Sequence, residues 1–206
     1  NRNPKATFFD KPLSREEYHN ARWISEPLCL YDNCLETDGA LACVLVSAAR
    51  ARDCRRPPVY VHAFGQGITR QAHTMTNYWG EDPLMGPAWA CAKQLYRGSD
   101  IGPSAIDVAQ IYDAFTPLVL LSLEGYGFCE RGEGAGFTED GGLELGGRLP
   151  TNTSGGGLSE AYVHGFLGFG PHAHQEGRTD SQRRRHRPRH AAKSGPSRAI
   201  SAPHPA

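Results

Sequence analysis

The sequence lacks the features that mark membrane and secreted proteins. No run approaches the roughly eighteen consecutive apolar residues of a membrane-spanning helix, so the sequence predicts no membrane span. Residues 1–5 contain neither an initiator methionine nor the start of an apolar signal core. These absences predict a cytoplasmic location, and the missing methionine indicates a fragment that is cut at its amino end.

A zinc-binding cysteine pattern is also absent. The six cysteines match no zinc-ligand spacing, and several of them lie inside apolar runs. In a cytoplasmic protein this placement predicts reduced thiols with a structural role. The cysteines are Cys29, Cys34, Cys43, Cys54, Cys91 and Cys129.

The charge is balanced overall but unevenly distributed. Residues 1–169 carry 14 Lys and Arg against 20 Asp and Glu, whereas residues 170–206 carry 8 against 2. The basic tail has one bulky aliphatic residue, Ile200, so no core is expected from it. It fits either a basic arm for nucleic acid, with five histidines for weak metal binding, or translation in a shifted reading frame of GC-rich DNA. We favour the shifted frame and expect no nucleic-acid partner and no metal.

Strand and helix patterns alternate along the acidic body, which indicates an α/β fold. A capping box at Ser14 predicts a helix that ends at Pro27. Apolar or alternating runs predict strands over residues 38–46, 59–64 and 106–111. Further helices are predicted over residues 87–96, 116–124 and 158–169.

Three short segments together resemble the thiolase superfamily. Residues 34–40 read Cys-Leu-Glu-Thr-Asp-Gly-Ala and resemble the Asp-Gly-Ala segment that closes the amino-terminal half of thiolases. Residues 110–116 stand where thiolases carry Asn-Glu-Ala-Phe, and residues 152–162 stand where they carry an Asn-x-x-Gly-Gly loop and Gly-His-Pro. The resemblance is closest to the thiolase-like lipid-transfer branch, which includes sterol-carrier thiolases and steroid-CoA aldolases.

This resemblance implies a layered αβαβα architecture that is incomplete and consists mainly of the carboxy-terminal half. Residues 1–57 are then a remnant of the amino-terminal half, and residues 58–169 form the carboxy-terminal domain. Residues 170–206 remain as a disordered basic tail. The resemblance also implies a homodimer and, in the aldolase branch, a partner with an OB-type domain related to acyl-CoA-binding proteins.

Two tyrosines mark the departure from thiolases. Tyr112 replaces the Asn of the thiolase motif, and Tyr162 replaces the His of Gly-His-Pro. No cysteine follows Cys129, so the late acid/base Cys is absent from this sequence. A phenol with an ordinary pKa of about 10 is mainly a proton donor at neutral pH, which disfavours Claisen chemistry.

The resemblance to the aldolase branch places catalysis at Tyr112 and Tyr162. In retro-aldol cleavage of a β-hydroxyacyl-CoA, one phenol takes the hydroxyl proton and the other stabilises the thioester enolate. This assignment leaves the order of the two roles open, and it requires one phenol to be drawn toward phenolate.

Six further residues are predicted to contact the substrate. Backbone N–H groups of the glycine loop can approach a thioester oxygen, although the loop also fits a simple tight turn. Asp113 fits a cap of the following helix equally well, and His164 also fits a structural role. The six residues are Asp113, Asn152, Gly155, Gly156, Gly157 and His164.

The sequence therefore predicts an enzyme that acts on a lipid or steroid acyl-CoA and uses no cofactor apart from the coenzyme A thioester of its substrate. We expect this chain alone to be inactive because half of the site is missing from it. The alternatives are an acyltransferase, which needs a nucleophilic Cys outside this sequence, and a non-catalytic lipid carrier.

Overall fold

The computed structural model describes residues 3–40, 42–55, 58–68 and 80–163. These residues belong to one compact unit, which spans Asn1–Gln175. Within these ranges the α-helices are α1 (Arg15–His19), α2 (Ala48–Ala51), α3 (Pro87–Arg97), α4 (Thr116–Gly125), α5 (Gly134–Thr138) and α6 (Gly156–Ser159), and the strands are β1 (Trp23–Ser25) and β2 (Leu28–Cys29). Single 3-10 turns cover Leu30–Asp32, Pro103–Ala105 and Glu139–Gly141.

The helices begin where their local signals predict. At α1, the Glu17 N–H donates to Ser14 Oγ over 3.1 Å, and the Ser14 N–H donates to the Glu17 carboxylate over 2.8 Å. Helices α3 and α4 each begin with a proline in their first turn. The predicted end of α1 at Pro27 is wrong, because the helix ends at His19 and Trp23–Ser25 pairs antiparallel with Leu28–Cys29.

The hydrophobic core lies between α4, α5 and the segment that precedes α4. Leu123 of α4 is completely buried at its centre. The core residues are Ala109, Ile111, Leu123, Phe137 and Leu149, with Ile106, Val119, Phe128, Cys129 and Leu143 packed around them. Helix α3 packs against α4 at Gly125, where an added Cβ would lie only 2.7 Å from the Ala88 Cβ. Glycine there allows the two helices to approach closely.

Two of the predicted strands are wrong. Residues 42–46 and 59–64 form no strand, and their side chains are largely exposed, with Leu45 at 81% and Val61 at 73%. The only ladder among the described residues joins β1 and β2. A strand needs a neighbour for its backbone hydrogen bonds, so a strand-forming composition alone does not produce one.

The third predicted strand, over residues 106–111, is reduced to one parallel bridge between Ala109 and Thr151. The Ala109 N–H donates to the Pro150 carbonyl over 3.0 Å, and the Asn152 N–H donates back to the Ala109 carbonyl over 3.0 Å. These bonds place residues 109–112 beside residues 150–152. The predicted helix over 158–169 differs as well, because α6 ends at Ser159 and residues 161–163 are irregular.

The amino-terminal segment packs against the end of α6. The Asn3 side-chain amide donates to the Glu160 carboxylate over 2.8 Å, and the Thr7 N–H donates to the Glu160 carbonyl over 2.9 Å. Within the ranges that the structure covers, no helix has both the length and the apolar character that a bilayer crossing requires. The basic tail lies outside the described residues, and the domain boundary at residue 57 stays a prediction.

Candidate active site

The two predicted catalytic tyrosines lie side by side. The hydroxyls of Tyr112 and Tyr162 are hydrogen-bonded to each other, although 50 residues separate them in the chain. The ring centroids are 6.2 Å apart and the ring planes are inclined by 44°. Tyr112 is 39% exposed and Tyr162 is half-buried, so both phenols can be reached from solvent.

Tyr112 follows a backbone segment that Asn152 holds in place. The Ile111 N–H donates to Asn152 Oδ1 over 2.8 Å, and Asn152 Nδ2 donates to the Ile111 carbonyl over 2.9 Å. Asn152 itself has a φ of +47°, a conformation that Asn tolerates better than most residues. Both ends of its amide are therefore engaged by the residue that precedes Tyr112. A substrate contact by Asn152 stays a prediction.

Asp113 holds the glycine loop from its position next to Tyr112. Its carboxylate is buried and accepts the Gly157 N–H over 2.8 Å and the Leu158 N–H over 3.4 Å. Burial raises the pKa of this carboxyl, and the two backbone hydrogen bonds only partly offset that effect. Asp113 thus caps the start of α6, whereas the sequence suggested a cap of the following helix, α4.

The glycine loop closes tightly around this carboxylate. Gly155 and Gly156 have φ values of +115° and +61°, and an added Cβ at Gly156 would overlap the Asp113 carboxylate. The Gly155 N–H donates to the Asn152 carbonyl over 2.8 Å, and the Gly157 N–H donates to Asp113. The structure thus gives these N–H groups acceptors within the chain, as a tight turn requires. Contact with a thioester oxygen stays a prediction, and His164 lies outside the described residues.

The electrostatic surroundings of Tyr112 favour its protonated form. Burial raises the pKa of Tyr112 above its ordinary value, and the hydrogen bond with Tyr162 and the nearby Asp113 carboxylate add to the effect. This direction is opposite to the one that a phenolate at Tyr112 would need. Tyr112 is therefore suited to donate a proton.

A second buried carboxylate supports the same region. Asp32 accepts hydrogen bonds from the Tyr18 hydroxyl over 2.7 Å, from Thr116 Oγ1 over 2.6 Å and from the Cys29 N–H over 2.8 Å. Burial favours its protonated form, but the bonds from Thr116, Tyr18 and Cys29 outweigh burial and lower the pKa of Asp32. Asp32 thereby ties the β1–β2 hairpin to the start of α4, four residues after Tyr112.

Sequence reasoning missed Asp32 and also Thr37. The Thr37 hydroxyl contacts the backbone of Tyr162 across a separation of 125 residues. No local pattern signals a contact of that range, although Thr37 lies inside the motif over residues 34–40. Among the residues that the structure describes, no group of three or more His, Cys, Asp or Glu side chains is placed to hold a metal ion.

Comparison with known proteins relates the sequence and fold of this chain to one family. Residues 69–168 match the family model described as thiolase C-terminal domain-like. A 17-hydroxy-3-oxo-4-pregnene-20-carboxyl-CoA lyase of Mycobacterium tuberculosis is 47% identical over 81% of this chain and 44% of its own length. A steroid side-chain-cleaving aldolase of Thermomonospora curvata is 49% identical over 81% of this chain and 43% of its own length.

A solved structure agrees with the sequence comparisons. An Ltp2–ChsH2(DUF35) aldolase superposes with a TM-score of 0.75 at 44% sequence identity, over 82% of this chain and 44% of that chain. The chain contains a thiolase C-terminal-like domain, and its coverage of the relatives fits their carboxy-terminal half. The predicted family and fold class are confirmed, since the fold is thiolase-like, mixed in helix and strand, and incomplete. The chain spans less than half the length of these relatives.

Proposed function

We propose that the intact protein cleaves the side chain of a steroid or similarly bulky β-hydroxyacyl-CoA by a retro-aldol reaction. The observation that carries this proposal is the direct hydrogen bond between the Tyr112 and Tyr162 hydroxyls. The names of the two relatives, a steroid carboxyl-CoA lyase and a steroid side-chain-cleaving aldolase, support the same reaction and substrate class.

The pair of phenols can move one proton without forming a stable phenolate. In one concerted relay, Tyr162 accepts the proton of the substrate hydroxyl, the Tyr162 proton passes to the Tyr112 oxygen, and the original Tyr112 proton leaves toward the α-carbon, so neither phenol ever carries two protons. The bond between the α- and β-carbons breaks, the β-carbon becomes a ketone, and the electron pair moves into a thioester enolate. Tyr112 donates its proton to that enolate, which leaves as a shorter acyl-CoA. The raised pKa of Tyr112 fits this donor role.

Acyl transfer fits the described site less well. It requires a cysteine thiolate, and burial together with the Asp113 and Glu36 charges raises the pKa of Cys34, which interacts electrostatically with Tyr112. A nearby thiol that resists ionisation is a poor nucleophile. The raised pKa of Cys34 makes it unsuited as the nucleophile, so acyl transfer would need a cysteine outside this sequence.

The further properties of the intact protein belong to the same proposal. Its partner is a protein with an OB-type domain, of the ChsH2(DUF35) kind found with the similar solved structure. It works as a homodimer in the cytoplasm, and its substrate contacts include the glycine loop and His164. The reaction needs no cofactor apart from the coenzyme A thioester that the substrate carries.

The test uses the intact protein with this partner and a steroid acyl-CoA that has a hydroxyl at the β-carbon. Mass spectrometry should detect the ketone and the short acyl-CoA in equal amounts. Tyr112→Phe and Tyr162→Phe should each lower kcat by about a hundredfold or more, the usual effect of removing a general acid or base. The control is Tyr60→Phe, because Tyr60 is 61% exposed and lies in no described element.

Each outcome of this assay separates the candidate functions. Undiminished cleavage by either tyrosine variant contradicts the proposal. Transfer of an acyl group to a second acyl-CoA would instead identify an acyltransferase. Binding of the acyl-CoA without turnover of any kind would identify a lipid carrier.

A further inference from the structure

The Thr37 hydroxyl makes two hydrogen bonds to the backbone of a single residue, Tyr162. The Tyr162 N–H donates to Thr37 Oγ1 over 2.8 Å, and the same hydroxyl donates to the Tyr162 carbonyl over 2.8 Å. One side chain therefore fixes both backbone polar groups of a candidate catalytic residue. Such a two-way bond restricts the position of Tyr162 more than either bond would alone.

Thr37 belongs to a segment, residues 34–39, that contacts both tyrosine-bearing parts of the site. We call this segment the bridging segment. The Cys34 N–H donates to the Ala114 carbonyl over 2.8 Å, two residues after Tyr112. The Leu35 N–H donates to the Gly157 carbonyl over 3.1 Å, within the glycine loop. The bridging segment is therefore hydrogen-bonded to both of the chain segments that carry the two phenols.

The close fit continues beyond Thr37. An added Cβ at Gly39 would lie 2.6 Å from Val163 Cγ2, so the bridging segment passes directly against the residue after Tyr162. A residue with a Cβ would require the Val163 side chain to shift, so glycine fits this position best.

Tyr162 depends on this support more than Tyr112 does. Tyr112 lies between Ile111, which is held by the Asn152 amide, and Asp113, which is anchored on α6. Tyr162 lies three residues beyond the end of α6, in a stretch without regular secondary structure. The hydroxyl of Thr37 supplies the backbone hydrogen bonds that a helix would otherwise provide.

We propose that Thr37 is a positioning residue that holds the Tyr162 hydroxyl within hydrogen-bonding distance of Tyr112. This inference rests on the proposed function, because it explains how Tyr162, one of the two proposed catalytic phenols, is held in place. A misplacement of about 1 Å can lower a rate by about a hundredfold. Both hydrogen bonds of Thr37 go to the backbone of Tyr162, so we expect Thr37 to act through that backbone.

The experiment compares Thr37→Val and Thr37→Ser in the intact protein. Valine keeps the shape of threonine but lacks the hydroxyl, whereas serine keeps the hydroxyl. Thr37→Val should lower kcat about 10- to 100-fold with KM changed by less than about threefold, and Thr37→Ser should stay within about threefold of the parent protein. The matched control is Thr138→Val, which removes a hydroxyl that donates to the Ala135 carbonyl on α5.

A second readout reports on Tyr162 without any turnover. Hydrogen–deuterium exchange of the peptide that contains the Tyr162 amide should be faster in Thr37→Val, because that N–H has lost its acceptor. The same peptide should be unchanged in Thr138→Val. If Thr37→Val does not yield folded protein, Thr37→Ala is compared with Thr37→Ser in the same two measurements.

The two proposals fail in different ways. If the parent protein cleaves no β-hydroxyacyl-CoA, the proposed function fails, and the exchange measurement still decides whether Thr37 holds Tyr162. If the parent protein cleaves its substrate and the hydroxyl-free variant retains its kcat or its slow exchange, the role of Thr37 is overturned.

Discussion

At the scale of single residues, two of the buried carboxylates, Asp32 and Asp113, have opposite electrostatic settings. Asp32 receives hydrogen bonds from two hydroxyls and one backbone N–H, and its pKa is lowered. Asp113 receives backbone bonds, of which one is 3.4 Å long, and a side-chain bond from Asn152, but burial outweighs them and raises its pKa. Hydrogen bonds to the carboxylate lower its pKa, and burial raises it. The hydrogen bonds outweigh burial where they are both short and numerous, as at Asp32.

A titration of Tyr18 tests the Asp32 network. The hydrogen bond to Asp32, aided by burial, raises the pKa of Tyr18 from 10.0 to about 12. The phenol therefore stays protonated in the folded protein while it would already ionise in the unfolded chain. Its contribution to stability is complete below about pH 10 and is lost as the pH rises toward about 12.

The measurement is a difference titration of the tyrosinate absorbance of the parent protein and of Tyr18→Phe. The difference should grow near pH 12, above the range near pH 10 in which a free tyrosine ionises. A midpoint near pH 10 for this difference would show that Asp32 does not hold the Tyr18 proton.

At the scale of elements, the glycine loop before α6 depends on one backbone conformation. Gly156 has a φ of +61°, and a Cβ there would overlap the Asp113 carboxylate. Gly156→Ala should therefore lower the free energy of unfolding by about 2 kcal/mol or more, because it adds left-handed strain and displaces a buried carboxylate from its donors.

Gly136 provides the matched control for this substitution. It lies inside α5, and an added Cβ would meet nothing within 4 Å. Gly136→Ala should raise the free energy of unfolding by roughly 0.5–1 kcal/mol, since alanine has the higher helix propensity. Denaturant unfolding of the intact protein measures both changes. A Gly156→Ala protein as stable as its parent would contradict the described loop.

The sequence predicted helices better than strands for a physical reason. The capping box at Ser14 and the proline at the start of α4 are local signals, and the helices begin where they indicate. Residues 42–46 and 59–64 have strand-like composition, but strands form only against neighbours, and the described residues place none beside them.

In the candidate site, too, residues in local motifs could be predicted and residues that act through distant contacts could not. Resemblance to a family pointed to Tyr112 and Tyr162 because short motifs carry them. Thr37 and Asp32 act through contacts with residues that are distant in the chain, at separations of 125 and 84 residues. Contacts of that kind depend on the packed fold, so local sequence patterns do not indicate them.

At the scale of the whole molecule, the chain presents apolar surface of the kind that normally lies inside a protein. Val44 is 87% exposed, Leu45 81% and Phe64 85%. The relatives are more than twice as long as the matched part of this chain. Large exposed apolar side chains of this kind are typical of surfaces that a partner covers.

Segments from three parts of the chain bring the two phenols together, and we propose that these phenols act as one catalytic unit. Groups that act as a unit have strongly non-additive effects when they are removed, because the second loss finds little activity left to reduce. A double-mutant cycle on the intact protein therefore tests whether the two phenols act as one unit.

The measurement is kcat/KM for cleavage of the steroid β-hydroxyacyl-CoA by the parent protein, Tyr112→Phe, Tyr162→Phe and the double variant. We predict that the double variant will lose about as much activity as the more damaged single variant. If the fold losses in kcat/KM of the two single variants multiply in the double variant, the phenols act independently and not as a unit. Single variants that retain full activity would show that neither phenol takes part in catalysis.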